Sequence, residues 1–61
     1  MSRDEEVVPV SGNYSAVVRY ENGWWIGWVQ EVPGVNRQER SRPALLESLR
    51  ITLREALALA E

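Results

Sequence analysis

Residues 14–35 read YSAVVRYENGWWIGWVQEVPGV, and Asn22-Gly23 near the centre separates two runs rich in Val, Ile, Tyr and Trp. Asn-Gly between such runs predicts a two-residue type I′ turn, because both central residues of that turn have positive φ. A two-residue turn also fixes how the flanking strands pair. We therefore predict a β-hairpin with strands over about residues 14–20 and 24–31.

The predicted pairing assigns the hairpin side chains to two faces. It places Tyr20 opposite Trp25 and Val18 opposite Gly27, and side chains alternate between faces along each strand. Gly27 in the middle of the second strand is costly unless another element comes close there, and a helix is the expected element. The face opposite the helix stays uncovered, and it contains Val17, Arg19, Trp24, Ile26 and Trp28.

The chain after the hairpin predicts a turn, a short strand and one long helix. Val32-Pro33-Gly34 has turn chemistry, and residues 35–39 can return beside the hairpin as a third strand. Ser41 is a suitable N-cap and Pro43 suits the first helical turn. The helix should extend to residue 60, because apolar residues recur three or four positions apart. These residues are Leu45, Leu46, Leu49, Leu53, Ala56, Leu57 and Ala60.

Residues 1–12 are expected to form a mobile acidic N-terminal tail. Pro9 cannot donate to a sheet ladder, so residues 7–10 form at most an edge strand. We therefore predict a single domain over residues 13–61. Its fold class is α+β, with a three-stranded antiparallel sheet and one long C-terminal helix packed on one face.

Composition narrows the possible functions. The 61 residues contain neither Cys nor His, which excludes disulfides and ordinary zinc sites. Chains this short usually need an added source of stability, and association with another chain is the one that remains. A net charge of −2 argues against a nucleic-acid binder, and no apolar run is long enough to span a membrane. We expect a cytoplasmic protein.

The residues needed for most catalytic sites are missing from the sequence. A nucleophilic Ser needs a base, and the chain has neither His nor Lys to act as one. The four Gly are scattered, so they form no phosphate-binding loop. We expect no enzymatic activity, no cofactor and no metal site.

The uncovered aromatic face indicates binding to another protein surface. It could be one half of a homodimer or larger homo-oligomer, or the site for a different protein. Arg37, Arg40 and Arg42 near the start of the helix allow a third reading, a small RNA-binding protein. Ile51 lies off the apolar stripe of the helix, where it is either simply exposed or part of a small contact with another chain. Together with the three arginines it makes up a predicted secondary site, a possible second interface.

The order of these features resembles the HicB-like antitoxin family. Trp25-Ile26-Gly27-Trp28-Val29 is similar to the core strand of that family, and Val32-Pro33-Gly34 is similar to its Leu-Pro-Gly turn. Ser41 stands where the family has a capping Thr, and residues 44–58 match its amphipathic helix. The resemblance covers about residues 14–60.

The resemblance carries expectations about fold and function. It implies a layout similar to a double-stranded-RNA-binding domain or a truncated ribonuclease H, and it implies oligomerisation. Family members bind and block a small HicA-type toxin that cleaves mRNA. Their C-terminal DNA-binding module has no counterpart in these 61 residues, so operator binding is not expected.

Overall fold

The chain folds into an antiparallel sheet followed by one helix, which confirms the α+β class. The structure is a computed structural model that describes residues 5–60. Each strand pairs with its neighbour in sequence, in the order β1-β2-β3-β4. The elements are β1 (Glu6–Ser11), β2 (Tyr14–Glu21), β3 (Trp24–Val29), β4 (Asn36–Glu39) and α1 (Arg42–Leu59).

The β2–β3 hairpin has the predicted register. Tyr20 lies opposite Trp25 and Val18 lies opposite Gly27. The turn residue Asn22 has φ 53° and the following glycine has φ 84°, as a type I′ turn requires. The Asn-Gly dipeptide therefore decides both the turn and the division of side chains between the two faces.

The sheet has four strands, so the prediction of three was wrong. Strand β1 pairs along β2, with Val8 opposite Ala16 and Pro9 opposite Ser15. Residues 6–11 are therefore part of the sheet and not part of a tail. Residues 1–4 of the predicted tail lie outside the described residues.

Pro9 is compatible with β1 because its nitrogen points away from β2. The N–H of Gln30 donates to the carbonyl of Ser15 at 2.9 Å, so the backbone groups of Ser15 face β3. In an antiparallel ladder, two residues that lie opposite each other either both direct their N–H and C=O groups toward each other or both direct them away. Pro9, which lies opposite Ser15, therefore has its nitrogen on the outer edge, where the missing N–H costs no ladder bond.

Helix α1 begins at the predicted cap and covers one face of the sheet. The hydroxyl of Ser41 accepts from the N–H of Ala44 at 3.2 Å, and Pro43 lies in the first turn. This cap satisfies one of the backbone donors that have no partner within the helix. The buried side chains between helix and sheet are Val10, Ala16, Val18, Val29, Val35, Leu45, Leu46, Leu49 and Leu53.

Gly27 lies directly beneath the helix, which confirms the predicted close approach. A Cβ at this position would lie 3.0 Å from Leu49 Cδ1 and 3.1 Å from Leu45 Cδ2. Both distances are shorter than ordinary van der Waals contact. The helix therefore covers the predicted face, and the opposite face is left without a covering element among residues 5–60.

Candidate functional site

The face of the sheet opposite α1 is the candidate functional site. All five residues predicted for it lie on β2 or β3 with the pairing that the register requires, and β1 adds Val7 opposite Val17. Sequence reasoning missed Val7 because it placed that residue in a tail. We call this surface the open face and define it by Val7, Val17, Arg19, Trp24, Ile26 and Trp28.

The two indoles of the open face each have an arginine beside them. The guanidinium carbon of Arg40 lies 3.6 Å from the ring centroid of Trp24, and that of Arg19 lies 5.9 Å from the centroid of Trp28. Arg40 is also fixed by a 3.0 Å hydrogen bond from Nη1 to the carbonyl of Gly23. Both indoles are half-buried, and each has a cation–π contact with its arginine. The open face is therefore aromatic in the centre and partly covered by positive charge.

Two carboxylates hold Arg19 in position. Its Nη2 lies 3.1 Å from Glu21 Oε1, and its Nη1 lies 3.6 Å from Glu5 Oε2. Its Nε atom is buried and has no hydrogen-bond partner within residues 5–60. Glu5 precedes β1, so its role was hidden from a sequence analysis that left β1 out of the sheet. Side chains two residues apart on a strand lie on the same face, so including β1 would have placed Glu5 on the face of Val7.

Val17 belongs to the open face, but its side chain is buried beneath its neighbours. It is only 7% exposed in the single chain, whereas Val7 beside it is 61% exposed. The register places Val7, Val17 and Trp28 in one row across three strands. A partner would therefore contact Val7 and Trp28, and Val17 would support them.

One end of the open face is fixed by a cluster of polar side chains. The carboxylate of Glu31 accepts from the backbone N–H and from the hydroxyl of Ser15, both at 2.9 Å. The bond from the backbone N–H of Ser15, followed by that from its hydroxyl, lowers the pKa of Glu31 below the ordinary value. The Ser15 hydroxyl also lies 3.0 Å from Gln30 Oε1. No local sequence pattern identifies this cluster, because Ser15 and Glu31 meet only after the hairpin forms.

The arginines near the helix start do not form one basic surface. Arg37 donates from Nε to the Ser48 hydroxyl at 2.9 Å on the helix side of the sheet. Arg42 forms a two-point contact with Glu6 of β1, at 3.3 Å and 2.9 Å. Arg40 lies on the opposite side, over Trp24. The predicted secondary site is thus divided between both faces of the sheet, and Ile51 lies apart from it on α1, 42% exposed.

The concave regions of the described chain include an open depression of about 290 Å³, which is lined by Ile26, Asn36, Arg37 and Gln38. A recess of about 140 Å³ lies between the end of β1 and α1, and its lining includes Val10, Arg50 and Leu57. Sites for drug-sized ligands usually occupy about 300 to 1,000 Å³. Within residues 5–60, no three Asp or Glu side chains are grouped closely enough to hold a metal ion.

Comparisons with protein-family models, curated proteins and solved structures return no match for this chain. In residues 5–60, the helix is not apolar enough along its length to cross a membrane.

Proposed function

We propose that this chain is a non-catalytic protein-binding module that binds its partner through the open face. The observation that carries the proposal is the pair of half-buried indoles, Trp24 and Trp28, each beside a guanidinium on a face that α1 does not cover. Trp and Arg are the residues most enriched among those that dominate binding energy at protein interfaces.

The open face is also prepared for binding before a partner arrives. Arg19 is held by two carboxylates and Arg40 by the carbonyl of Gly23. Side chains that are already ordered lose little conformational entropy when a complex forms. Both Trp side chains are on a paired strand, which limits their movement further. These features favour a rigid aromatic binding surface.

The partner that fits best is a small basic protein, and the specific form that we propose is a HicA-type mRNA-cleaving toxin. Support comes from the resemblance to the HicB-like antitoxin family and from the net charge of −2. Glu5 and Glu21 outnumber Arg19 where the three side chains meet. Glu31 adds a carboxylate at one end, so the rim of the open face is acidic although Arg40 lies over Trp24. Complementary charge speeds association and discriminates against wrong partners. We place this binding in the cytoplasm.

A stand-alone homo-oligomer is the alternative, because the same apolar surface could bind a second copy of itself. A small RNA-binding protein is the third candidate and is less favoured. Arg37 and Arg42 are engaged on the helix side, whereas Arg40 covers Trp24 on the open face. A single-strand binder needs a continuous basic groove beside its stacking aromatics.

The test is capture of partners from an extract of the source cells by immobilised protein, followed by an mRNA-cleavage assay of the eluate. We expect a small basic protein whose cleavage activity is blocked by added chain. Trp28→Glu should abolish capture, because it places a charge in the centre of the aromatic surface. Leu59→Glu is the matched control, since Leu59 is 86% exposed at the far end of α1. Capture that survives Trp28→Glu, or an eluate without ribonuclease activity, would contradict the antitoxin proposal.

A further inference from the structure

The outer edge of β4 carries unpaired backbone groups. The N–H of Val29 donates to the carbonyl of Val35 at 2.9 Å, so this pair is hydrogen-bonded. Bonded pairs recur at every second residue of an antiparallel ladder. Arg37 and Glu39 therefore bond to β3 through their opposite residues Gly27 and Trp25. The N–H and C=O groups of the alternate residues, Asn36 and Gln38, point away from β3. In the described chain no strand pairs with them.

The two edges of the sheet differ in their capacity to accept another strand. At the β1 edge, Pro9 removes an outward N–H, and the register shifts between Pro9 and Ser11. Prolines and bulges are devices that block pairing at sheet edges. Strand β4 has no Pro, and its pairing with β3 is regular from Asn36 to Glu39. The β1 edge therefore has two blocking devices that β4 lacks, and β4 is protected by its short length and its charges.

The charges of β4 are complementary to themselves. The strand reads Arg37-Gln38-Glu39 around its centre, with opposite charges at equal distances from Gln38. If two copies of β4 run antiparallel with the two Gln38 residues opposite, each Arg37 lies opposite Glu39 of the other copy. Cross-strand pairs of opposite charge stabilise a sheet, whereas like charges destabilise it. In residues 5–60, neither Arg37 nor Glu39 has an ion-pair partner in its own chain.

We propose that two copies of this chain form a symmetric dimer by pairing their β4 strands, which gives one continuous eight-stranded sheet. The two Gln38 residues meet at the two-fold axis and exchange N–H···O=C bonds. A two-fold axis requires the same surface on both copies to be self-complementary, and this is the property of the Arg37-Gln38-Glu39 sequence. The occupant of the β4 edge is thus a second copy.

The position of Ile51 is consistent with this dimer. The bond between Arg37 and Ser48 shows which side of α1 faces the β4 edge. Ile51 follows Ser48 by three residues, about 60° further round the helix and away from the sheet, and it is 42% exposed. With strands about 4.8 Å apart, the two helices would lie roughly 10 to 14 Å from each other across the axis. Helices with their side chains are about 10 to 12 Å wide, so the two helices can touch across the axis, with Ile51 at the solvent side of that contact.

The β4 dimer does not depend on the proposed partner binding, because it uses a different surface. Both open faces lie on the same side of the eight-stranded sheet and remain accessible. Variants of β4 should therefore change dimerisation, whereas variants of the open face should change partner capture.

Charge reversal tests the register directly. Arg37→Glu alone and Glu39→Arg alone each place like charges opposite one another, and we expect each to weaken the dimer about tenfold or more. Mixing the two variants restores opposite charges across the axis, so a heterodimer should form. Light scattering over a concentration series should give twice 7.0 kDa for the wild type and for the mixture. Arg54→Glu is the control, because Arg54 lines the recess beside β1, away from β4.

Gln38→Pro provides a second test. The N–H of Gln38 points away from β3, so its removal breaks no bond within the chain but removes both bonds at the two-fold axis. We expect a folded monomer, with folding checked by circular dichroism. A wild-type chain that is monomeric at all concentrations would overturn the dimer. So would a dimer that is unaffected by the β4 variants and is dissociated by Trp28→Glu, since the copies would then meet through their open faces.

Discussion

At the residue scale, Gly27 is the position where the sequence allows helix and sheet to come together. A methyl group there would lie 3.0 Å from Leu49 Cδ1 and 3.1 Å from the carbonyl oxygen of Val17. The side chain of Leu49 can move slightly, but the backbone oxygen cannot move without disturbing β2. We expect Gly27→Ala to reduce the free energy of unfolding by about 1 to 3 kcal/mol, measured by urea denaturation.

A double-mutant cycle with Leu49 separates crowding from other causes. If crowding against Leu49 is the cause, Leu49→Ala should make room for the added methyl. The double mutant should then lose less stability than the sum of the losses in the two single mutants. Additive effects would assign the cost to Leu45 and to the Val17 carbonyl, whereas a Gly27→Ala protein as stable as wild type would show that the helix is not held this close to β3.

Glu31 gives a prediction about pH. Its carboxylate accepts two bonds from Ser15, and these lower the pKa of Glu31 below the ordinary value of 4.5. A lowered pKa in the folded state means that the charged carboxylate stabilises the fold above pH 4.5, and that this stability is lost as pH falls through the folded pKa. The stability difference between wild type and Glu31→Gln should therefore shrink on acidification.

The check on Glu31 is its own titration. Side-chain NMR of the folded protein should give a midpoint below 4.5 for this carboxyl. Ser15→Ala removes the hydroxyl donor and leaves the backbone N–H, so the midpoint should rise only part of the way back. A wild-type midpoint at or above 4.5 would mean that Ser15 does not hold this carboxylate in solution.

At the element scale, the hairpin and the helix could be predicted from sequence because their signals are local. Asn22-Gly23 specifies a turn, and Ser41 with Pro43 specifies a helix start. Strand β1 could not be predicted with the same rules. Pro9 argues against a strand unless its nitrogen faces outward, and that direction depends on how β2 pairs with β3. The omission of β1 then hid Val7 and Glu5 from the predicted site.

Two valines of β1 test whether this strand is part of the fold. Val10 is 6% exposed within the core, whereas Val7 is 61% exposed on the open face. Val10→Thr replaces a buried methyl group with a hydroxyl. We expect this change to lower the free energy of unfolding by about 1 to 3 kcal/mol. Val7→Thr is the matched control in the same strand and should change stability by less than about 0.5 kcal/mol. Equal, small effects would mean that β1 is detached in solution.

At the scale of the whole molecule, the chain has two surfaces with different properties. The open face is aromatic and has Arg19 and Arg40 over its indoles, whereas the β4 edge is polar and self-complementary in charge. Sequence reasoning could identify the aromatic residues, because alternation from the hairpin turn groups them. It could not separate self-association from partner binding, because the outward direction of the Gln38 backbone follows only from the complete ladder.

Self-association through β4 also predicts how thermal stability depends on concentration. Unfolding that is coupled to dissociation gives a Tm that rises with protein concentration, because association favours the folded chain by mass action. Unfolding entropies near 2.1 cal/mol/K per residue imply a rise of up to roughly 6 °C for a tenfold increase in concentration of a fully coupled dimer of this size. Gln38→Pro should remove the dependence and leave the Tm of the monomer. A wild-type Tm that is constant over a hundredfold concentration range, measured by calorimetry, would show that the four-stranded sheet and its helix are stable without a second copy.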